Sequence, residues 1–201
     1  MDELKQEILD AALQVFSRYG VKRTSMGDLC QEAGVSRQTL YNRFRNKDDI
    51  LRDLIGRYTD AAIDEIRQGL EQAESLGDRL DIFFDRMALN AYDIVQAMPN
   101  AEEFIEGVNA VSQEALEQSA CRFQEVLAEV LEPHQAALAR AGLGVADLSN
   151  FAQRSAKAAT SHARDRADLV SQLRTLRQLC LSVAGQRAPD ATHTGHDENA
   201  N

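Results

Sequence analysis

Hydrogen-bonding side chains fill almost every position between residues 36 and 43, where Leu40 is the only aliphatic residue. The planar guanidinium of Arg37 can donate two parallel hydrogen bonds to guanine O6 and N7, and the amide of Gln38 can pair in the same way with adenine. Other donors suit phosphate oxygens, which fix the register of a protein on DNA rather than its sequence preference. These donors are Thr39, Tyr41, Asn42 and Lys47. The residue types therefore predict recognition of base pairs in the major groove of duplex DNA.

The local pattern also predicts how this polar segment is held. Leu40 and Phe44 are four residues apart, so they share one face of a helix that leaves its polar side chains facing outward. Before this helix, Gly34 supplies the positive φ of a sharp turn, and Ser36 is placed to cap the first helical turn. A further short helix, capped by Ser25, precedes the turn. Two short helices around a tight turn form a helix-turn-helix, in which the second helix enters the major groove.

The charge of the chain is divided unevenly. The net charge is −10, but residues 1–58 hold ten Lys or Arg and nine Asp or Glu, whereas the remainder holds 12 and 23. Phosphate contacts need local positive charge rather than a basic whole chain. The division therefore fits a DNA-binding N-terminal part that is joined to an acidic body.

Apolar residues recur at three- and four-residue steps through most of the chain, which is the periodicity of amphipathic helices, and no convincing strand is found. The expected fold class is all-α. We expect a three-helix helix-turn-helix domain over residues 1–46, a helical domain over residues 47–185 and a disordered tail over residues 186–201. The predicted longer helices cover residues 2–19, about 46–72, 78–98, from 100, from 112 to Pro133, about 146–163 and about 168–184.

The sequence lacks the patterns of an enzyme, a metalloprotein or a membrane protein. It has no Gly-rich phosphate loop, metal-ligand cluster or nucleophile motif, so no catalytic residue, metal site or cofactor is predicted. No apolar stretch approaches the ~18 residues of a membrane span, and the N-terminus does not resemble a signal peptide. We therefore expect a cytoplasmic protein with no membrane partner. Cys30, Cys121 and Cys180 are expected to be core residues, with redox sensing as the alternative. His193 and His196, in the tail, are not expected to bind metal.

Residues 8–55 resemble the DNA-binding domain of the tetracycline-repressor (TetR) family of transcriptional regulators. The family pattern is roughly I-A-x-x-A-G-V-S-x-x-T-L-Y-x-H-F-x-x-K. This sequence meets it at Ala33, Gly34, Val35, Ser36, Thr39, Leu40, Tyr41, Phe44 and Lys47. It departs from the pattern at Leu29 and Cys30, where Ile-Ala is usual, and at Arg43, where His is common and where Arg adds a charge suited to phosphate.

The resemblance implies a bacterial regulator of nine or ten helices, whose second domain binds an effector and whose last two long helices form a homodimer. The residues expected to contact DNA are Thr24, Ser25, Ser36, Arg37, Gln38, Thr39, Tyr41, Asn42, Arg43 and Lys47. The residues expected to line an effector pocket are Tyr58, Ala62, Phe83, Phe84, Met87, Asn90, Tyr92, Phe104 and Phe123. The residues expected at the dimer interface are Ala152, Ala156, Ala159, Leu169, Leu173 and Leu176.

The expected function is that of a repressor bound to a pseudo-palindromic operator. A small, largely apolar effector is expected to release the protein from this operator by shifting the fourth helix. The alternative is a DNA-anchored interaction protein whose helical body binds a protein partner. Two structural alternatives also stay open: the aromatic residues of the expected pocket could be plain core, and the apolar stripe of the last helix could pack within one subunit. A set of carboxylates is expected to form a solvated face, with a site for a cationic effector as the alternative. This set is Glu102, Glu103, Glu106, Glu114 and Glu117.

Overall fold

The computed structural model describes residues 3–186, with the backbone only at 109–111, and every regular element in that range is a helix. This confirms the expected all-α class. Eleven α-helices lie in the described range. A π-helical turn joins α5 to α6 and a 3-10 turn joins α8 to α9 without a break, which leaves nine continuous helices, within the expected nine or ten. Helices α1 to α11 span Glu3–Tyr19, Met26–Glu32, Arg37–Tyr41, Lys47–Leu70, Leu76–Phe84, Asn90–Gln96, Ala101–Val111, Gln113–Leu131, Gln135–Arg140, Val145–His162 and Arg166–Val183.

The N-terminal unit, which comprises α1 to α3 and the first turns of α4, encloses an apolar core of its own. Its fully buried side chains include Phe16, Leu29, Leu40 and Phe44. The core forms because the apolar face of α1 meets the inward residues of α2 and α3. Full burial of one such side chain stabilises the fold by about 1.5–3 kcal/mol.

Helix α4 connects this unit to the rest of the molecule. Its residues up to Leu54 belong to the N-terminal core, and those from Ala62 onward belong to a second, larger core. Both sets lie on one uninterrupted helix of 24 residues. The predicted domain boundary between residues 46 and 47 marks the start of α4, whereas the packing passes from one core to the other farther along the helix. Helix α4 is therefore part of both cores.

The second core belongs to the helical body, formed by the later part of α4 together with α5, the π-helical turn, α8, α10 and α11. Ala152 and Ala156 of α10 are fully buried, because small side chains let α10 pack closely against both α8 and α11. Pro133 interrupts the helical region after α8, as predicted, and lies in a 3-10 turn spanning Glu132–His134. The last two long helices lie within two residues of their predicted bounds.

The region over residues 78–98, predicted as one helix, differs from this prediction in two ways. Its first helix, α5, begins at Leu76, because Ser75 and Asp78 form a reciprocal capping box. A π-helical turn over Asp85–Leu89 then lies between α5 and α6 within this continuous helix. Turns of this kind are rare and are frequently found at functional sites.

Several expectations concern exposure or fall outside the described range. Cys30 and Cys180 are buried, and burial raises the pKa of the Cys180 thiol to about 11, but Cys121 is exposed on α8 and is not a core residue.

None of the helices described is long and apolar enough to cross a membrane, and no metal-binding group of His, Cys, Asp or Glu occurs among the same residues. Residues 187–201, with His193, His196 and nearly all of the predicted tail, lie outside the described residues.

Candidate DNA-binding surface

The polar helix α3 lies at the surface of the N-terminal unit, anchored by Leu40 within it and by Phe44 just after its end. Leu40 and Phe44 are fully buried, whereas Arg37 and Gln38 are exposed and Tyr41 keeps 52% of its surface exposed. The α-helix ends at Tyr41, earlier than predicted, and continues as a turn up to Phe44. The geometry presents the side chains that were predicted to read bases outward, while it fixes their backbone.

A tight turn and two helix caps set the direction of this helix. Gly34 has a φ of +64°, which glycine adopts without steric penalty. The Ser36 hydroxyl accepts a hydrogen bond from the amide of Thr39 at 3.0 Å. At the start of α2, Ser25 caps the helix, and the amide and hydroxyl of Ser25 lower the pKa of the Asp28 carboxyl. The two serines predicted to contact DNA therefore also position α2 and α3.

Two further predicted DNA contacts, Lys47 and Thr24, have partners inside the protein. The Nζ atom of Lys47 donates hydrogen bonds to the carbonyl oxygens of Val21 at 2.8 Å and Thr24 at 2.7 Å. Thr24 is buried, and its hydroxyl donates to the carbonyl of Gly20 at 2.8 Å. Both side chains fix the corner between α1 and α2, a role that the residue types did not reveal. Their contact with DNA stays a prediction.

A polar cavity of about 250 Å³ lies beside the end of α3. Asp49 at its wall pairs with Arg52 at 2.9 Å and with Arg45 at 3.2 Å, and the hydrogen bond from Arg52 lowers the pKa of this carboxyl. Neither arginine was among the predicted DNA contacts. The cavity is lined by Tyr41, Asn42, Arg43, Phe44, Arg45, Asp49, Arg52 and Asp53.

Five of the nine residues predicted to line an effector pocket lie in the apolar core of the body. They are Ala62, Phe83, Phe84, Met87 and Phe123. The ring of Phe83 meets those of Phe84 and Phe123 edge to face, with centroids 5.5 and 6.4 Å apart. This is a favourable packing arrangement for aromatic side chains. The structure therefore favours the alternative that these residues are core.

The other four predicted pocket residues are divided between two places. Tyr58 and Tyr92 pack partly buried against the core of the body, and Asn90 is half-buried at the start of α6. Burial raises the pKa of Tyr58 to about 12, and its hydroxyl donates to the carbonyl of Arg86 in the π-helical turn at 3.4 Å. Phe104, in contrast, packs against the N-terminal core, because α7 docks on α1. It does not join the other predicted pocket residues.

The six residues predicted for the dimer interface require a correction. All are buried within a single chain: Ala152, Ala156, Ala159, Leu169, Leu173 and Leu176. The apolar stripe of each helix is covered by the chain's own body, so these side chains present almost no surface to a second subunit. This is the alternative left open above.

Other side chains on the same two helices do face outward. Phe151 of α10 and Leu179 of α11 keep 59% and 55% of their surfaces exposed. A groove of about 600 Å³ runs between α8 and α10 beside Phe151. It is lined by Gln124, Ala146, Asp147, Asn150, Phe151, Arg154, Ser155 and Ala158.

Comparison with known proteins gives matches for the N-terminal unit and for the fold. Residues 8–54 match the family described as bacterial regulatory proteins, tetR family. The chain is similar to the HTH-type transcriptional regulator AcrR of Shigella flexneri, with 40% identity over 81 residues that cover 40% of this chain and 36% of the relative. The chain thus spans little more than a third of that relative's length.

Two solved structures share the fold over most of both chains. The fatty acid degradation regulator FadR from Bacillus halodurans has a TM-score of 0.68 at 19% identity, covering 90% of this chain and 96% of its own. Thermus thermophilus FadR, a TetR-family repressor in complex with lauroyl-CoA, has a TM-score of 0.60 at 17% identity, covering 94% and 99%. AcrR is named as a transcriptional regulator and the Thermus thermophilus protein as a transcriptional repressor.

Proposed function

We propose that this chain, which carries the DNA-binding domain of the tetR family of bacterial regulatory proteins, is a transcriptional regulator that binds a pseudo-palindromic operator as a homodimer. The observation that carries the proposal is the exposure of Arg37 and Gln38 on a short helix that Leu40 and Phe44 anchor in the N-terminal core. A helix held in this way can enter the major groove with its N-terminal residues against base edges.

The homodimer is proposed to form through the outward faces of α10 and α11. Phe151 and Leu179 lie on these faces with more than half of their surfaces exposed, and exposed apolar side chains of this size mark interaction surfaces when they cluster. Ser155 and Ala158 beside Phe151 are small enough for a second helix to approach closely. Two copies related by a two-fold axis would form a four-helix bundle. Such a dimer presents two recognition helices to half-sites roughly 34–36 Å apart.

A small, largely apolar effector is proposed to release the operator by moving α4. Arg57 of α4 pairs with Asp10 of α1 at 2.7 Å, and Thr59 shares a hydrogen bond with Ser119 of α8 at 2.7 Å. The helix is therefore tied to both units. We place the effector near Tyr58, where α4 meets the π-helical turn. The bound lauroyl-CoA of the Thermus thermophilus protein, which has the same fold, supports an apolar ligand class. An effector acts in this way when it binds one of two states more tightly.

Two features favour a second candidate function, a DNA-anchored protein whose body binds a protein partner. Phe83, Phe84 and Phe123 pack together in the core, and the groove beside Phe151 is open at the surface. The two functions differ in what covers this groove: a second copy of the chain in the first, and another protein in the second. The oligomeric state of the purified protein separates them.

The roles of the recognition residues provide the test of the proposed function. We expect Arg37→Ala or Gln38→Ala to relax the preference at one or two base pairs of each half-site, at a cost of about 1–3 kcal/mol each. Lys47→Ala is expected to weaken binding to specific and scrambled duplexes alike, because it removes the ammonium that fixes the α1–α2 corner. Gln135→Ala, at an exposed position of α9, serves as the control. An equal loss for Arg37→Ala on both duplexes contradicts the assignment.

A further inference from the structure

Helix α7 docks directly on the DNA-binding unit. Phe104 and Val108 pack against the N-terminal core, and the amide of Asn100 donates a hydrogen bond to the carbonyl of Ser17 at the end of α1. A Cβ atom at Gly107 would lie only 2.6 Å from the Cβ of Val21, so glycine permits the close approach of the two segments. The body therefore contacts the N-terminal unit at a second place, separate from α4.

The contact brings two carboxylates of α7 onto two basic side chains of the α1–α2 corner. Lys22 Nζ donates to Glu106 at 2.5 Å, and Arg23 Nε donates to Glu103 at 2.9 Å. The hydrogen bond from Lys22 lowers the pKa of the Glu106 carboxyl. Both cationic side chains remain more than half exposed to solvent. They lie immediately before Thr24 and Ser25, the segment that starts α2.

We propose that Glu103 and Glu106 are positioning residues that limit the affinity for DNA by holding Lys22 and Arg23 away from the phosphates of the duplex. The inference rests on the proposed function. A cation paired with a carboxylate cannot make the same contact with a phosphate, and the carboxylate itself repels the duplex. Exposed pairs of this kind are weak and are screened by salt. A displacement of α7 would separate these pairs and make the two cations available to phosphates. Both pairs are on one helix, so a displacement of α7 frees both cations together.

The proposal predicts a distinctive salt dependence. Each phosphate contact adds about 0.9 to the slope of log K against log salt on duplex DNA. Neutralising both carboxylates in the variant Glu103→Gln/Glu106→Gln is expected to steepen this slope by about 1–2 and to raise the affinity by roughly five- to fifty-fold at about 0.1 M salt. A role limited to stabilising the fold would leave the slope unchanged.

The control variant Glu102→Gln/Glu114→Gln changes the net charge by the same amount at exposed positions of α7 and α8. A second pair of variants completes a double-mutant cycle. Lys22→Gln/Arg23→Gln is expected to have little effect on DNA binding in the wild-type chain, and to abolish the gain when it is added to Glu103→Gln/Glu106→Gln. Thermal unfolding of every variant shows whether it is folded.

The inference is overturned if Glu103→Gln/Glu106→Gln changes the slope and the affinity no more than the control does. It is also overturned if a folded Glu103→Gln/Glu106→Gln variant binds DNA more weakly, because the carboxylates then hold the unit in its binding form. In both cases the wild-type chain still binds DNA, so the proposed function stands. A wild-type chain that binds no duplex at any salt concentration contradicts both the inference and the proposed function.

Discussion

Replacing Phe83 with alanine is expected to lower the free energy of unfolding by about 3–5 kcal/mol. The side chain, on α5, is fully buried, and its ring contacts those of Phe84 and of Phe123 on α8. Truncation removes the apolar area of the ring and leaves a cavity that the packed neighbours fill only in part. Urea unfolding at a fixed protein concentration measures the change.

The matched control is Ile94→Ala on α6, where 40% of the isoleucine is already exposed. Removal of an exposed side chain away from special contacts changes stability by within about 0.5 kcal/mol. A loss of less than about 1 kcal/mol for Phe83→Ala would mean that the ring borders open space rather than packed neighbours. That result would restore Phe83 to an effector pocket.

The second large effect is expected from Phe151→Glu, which places a charge on the outward face of α10. A carboxylate buried between two subunits loses its hydration without a partner, so the variant is expected to be a folded monomer. Operator affinity is expected to fall by 100-fold or more, within the roughly 10²–10⁴ that avidity contributes, because each chain then holds one half-site independently. Sedimentation and binding to the operator duplex measure the two consequences.

The control for this variant is Ile94→Glu, which introduces the same charge at an exposed apolar residue of another helix. It is expected to remain dimeric. If Phe151→Glu stays dimeric at micromolar concentration and keeps its operator affinity, the subunits do not meet at this face. A wild-type chain that is monomeric on the operator rules out the homodimer itself.

The N-terminal unit was predictable because its signals are local. Ser25 and Ser36 cap helices within a few residues of themselves, and Gly34 has the positive φ expected of the turn. Leu40 and Phe44, four residues apart, are both buried in the N-terminal core. What could not be predicted is which donors turn back into the protein. Lys47 reaches the carbonyl of Val21 across 26 positions of sequence, and residue type alone does not distinguish that partner from a phosphate.

The body shows the corresponding limit of helical periodicity. The spacing of Ala152, Leu169 and Leu173 correctly identifies a buried face, but it does not say whether the same chain or a second copy covers that face. Phe104 is aromatic like the residues of the body core, but it packs on the N-terminal unit. The periodicity of the sequence also did not predict the π-helical turn over Asp85–Leu89. These features follow from tertiary contacts, which one sequence does not contain.

Selection of bound sequences from a random pool of duplex DNA tests the central claim most directly. If Arg37 and Gln38 read base edges from two α3 helices of a dimer, the selected pool should converge on a pseudo-palindrome. Its half-sites should repeat at about one helical turn, 10–10.5 base pairs, or a multiple of it. The same selection with Arg37→Ala should lose preference at one or two positions of each half-site. A pool that the wild-type chain binds without enriching any sequence, or does not bind at all, would contradict the account.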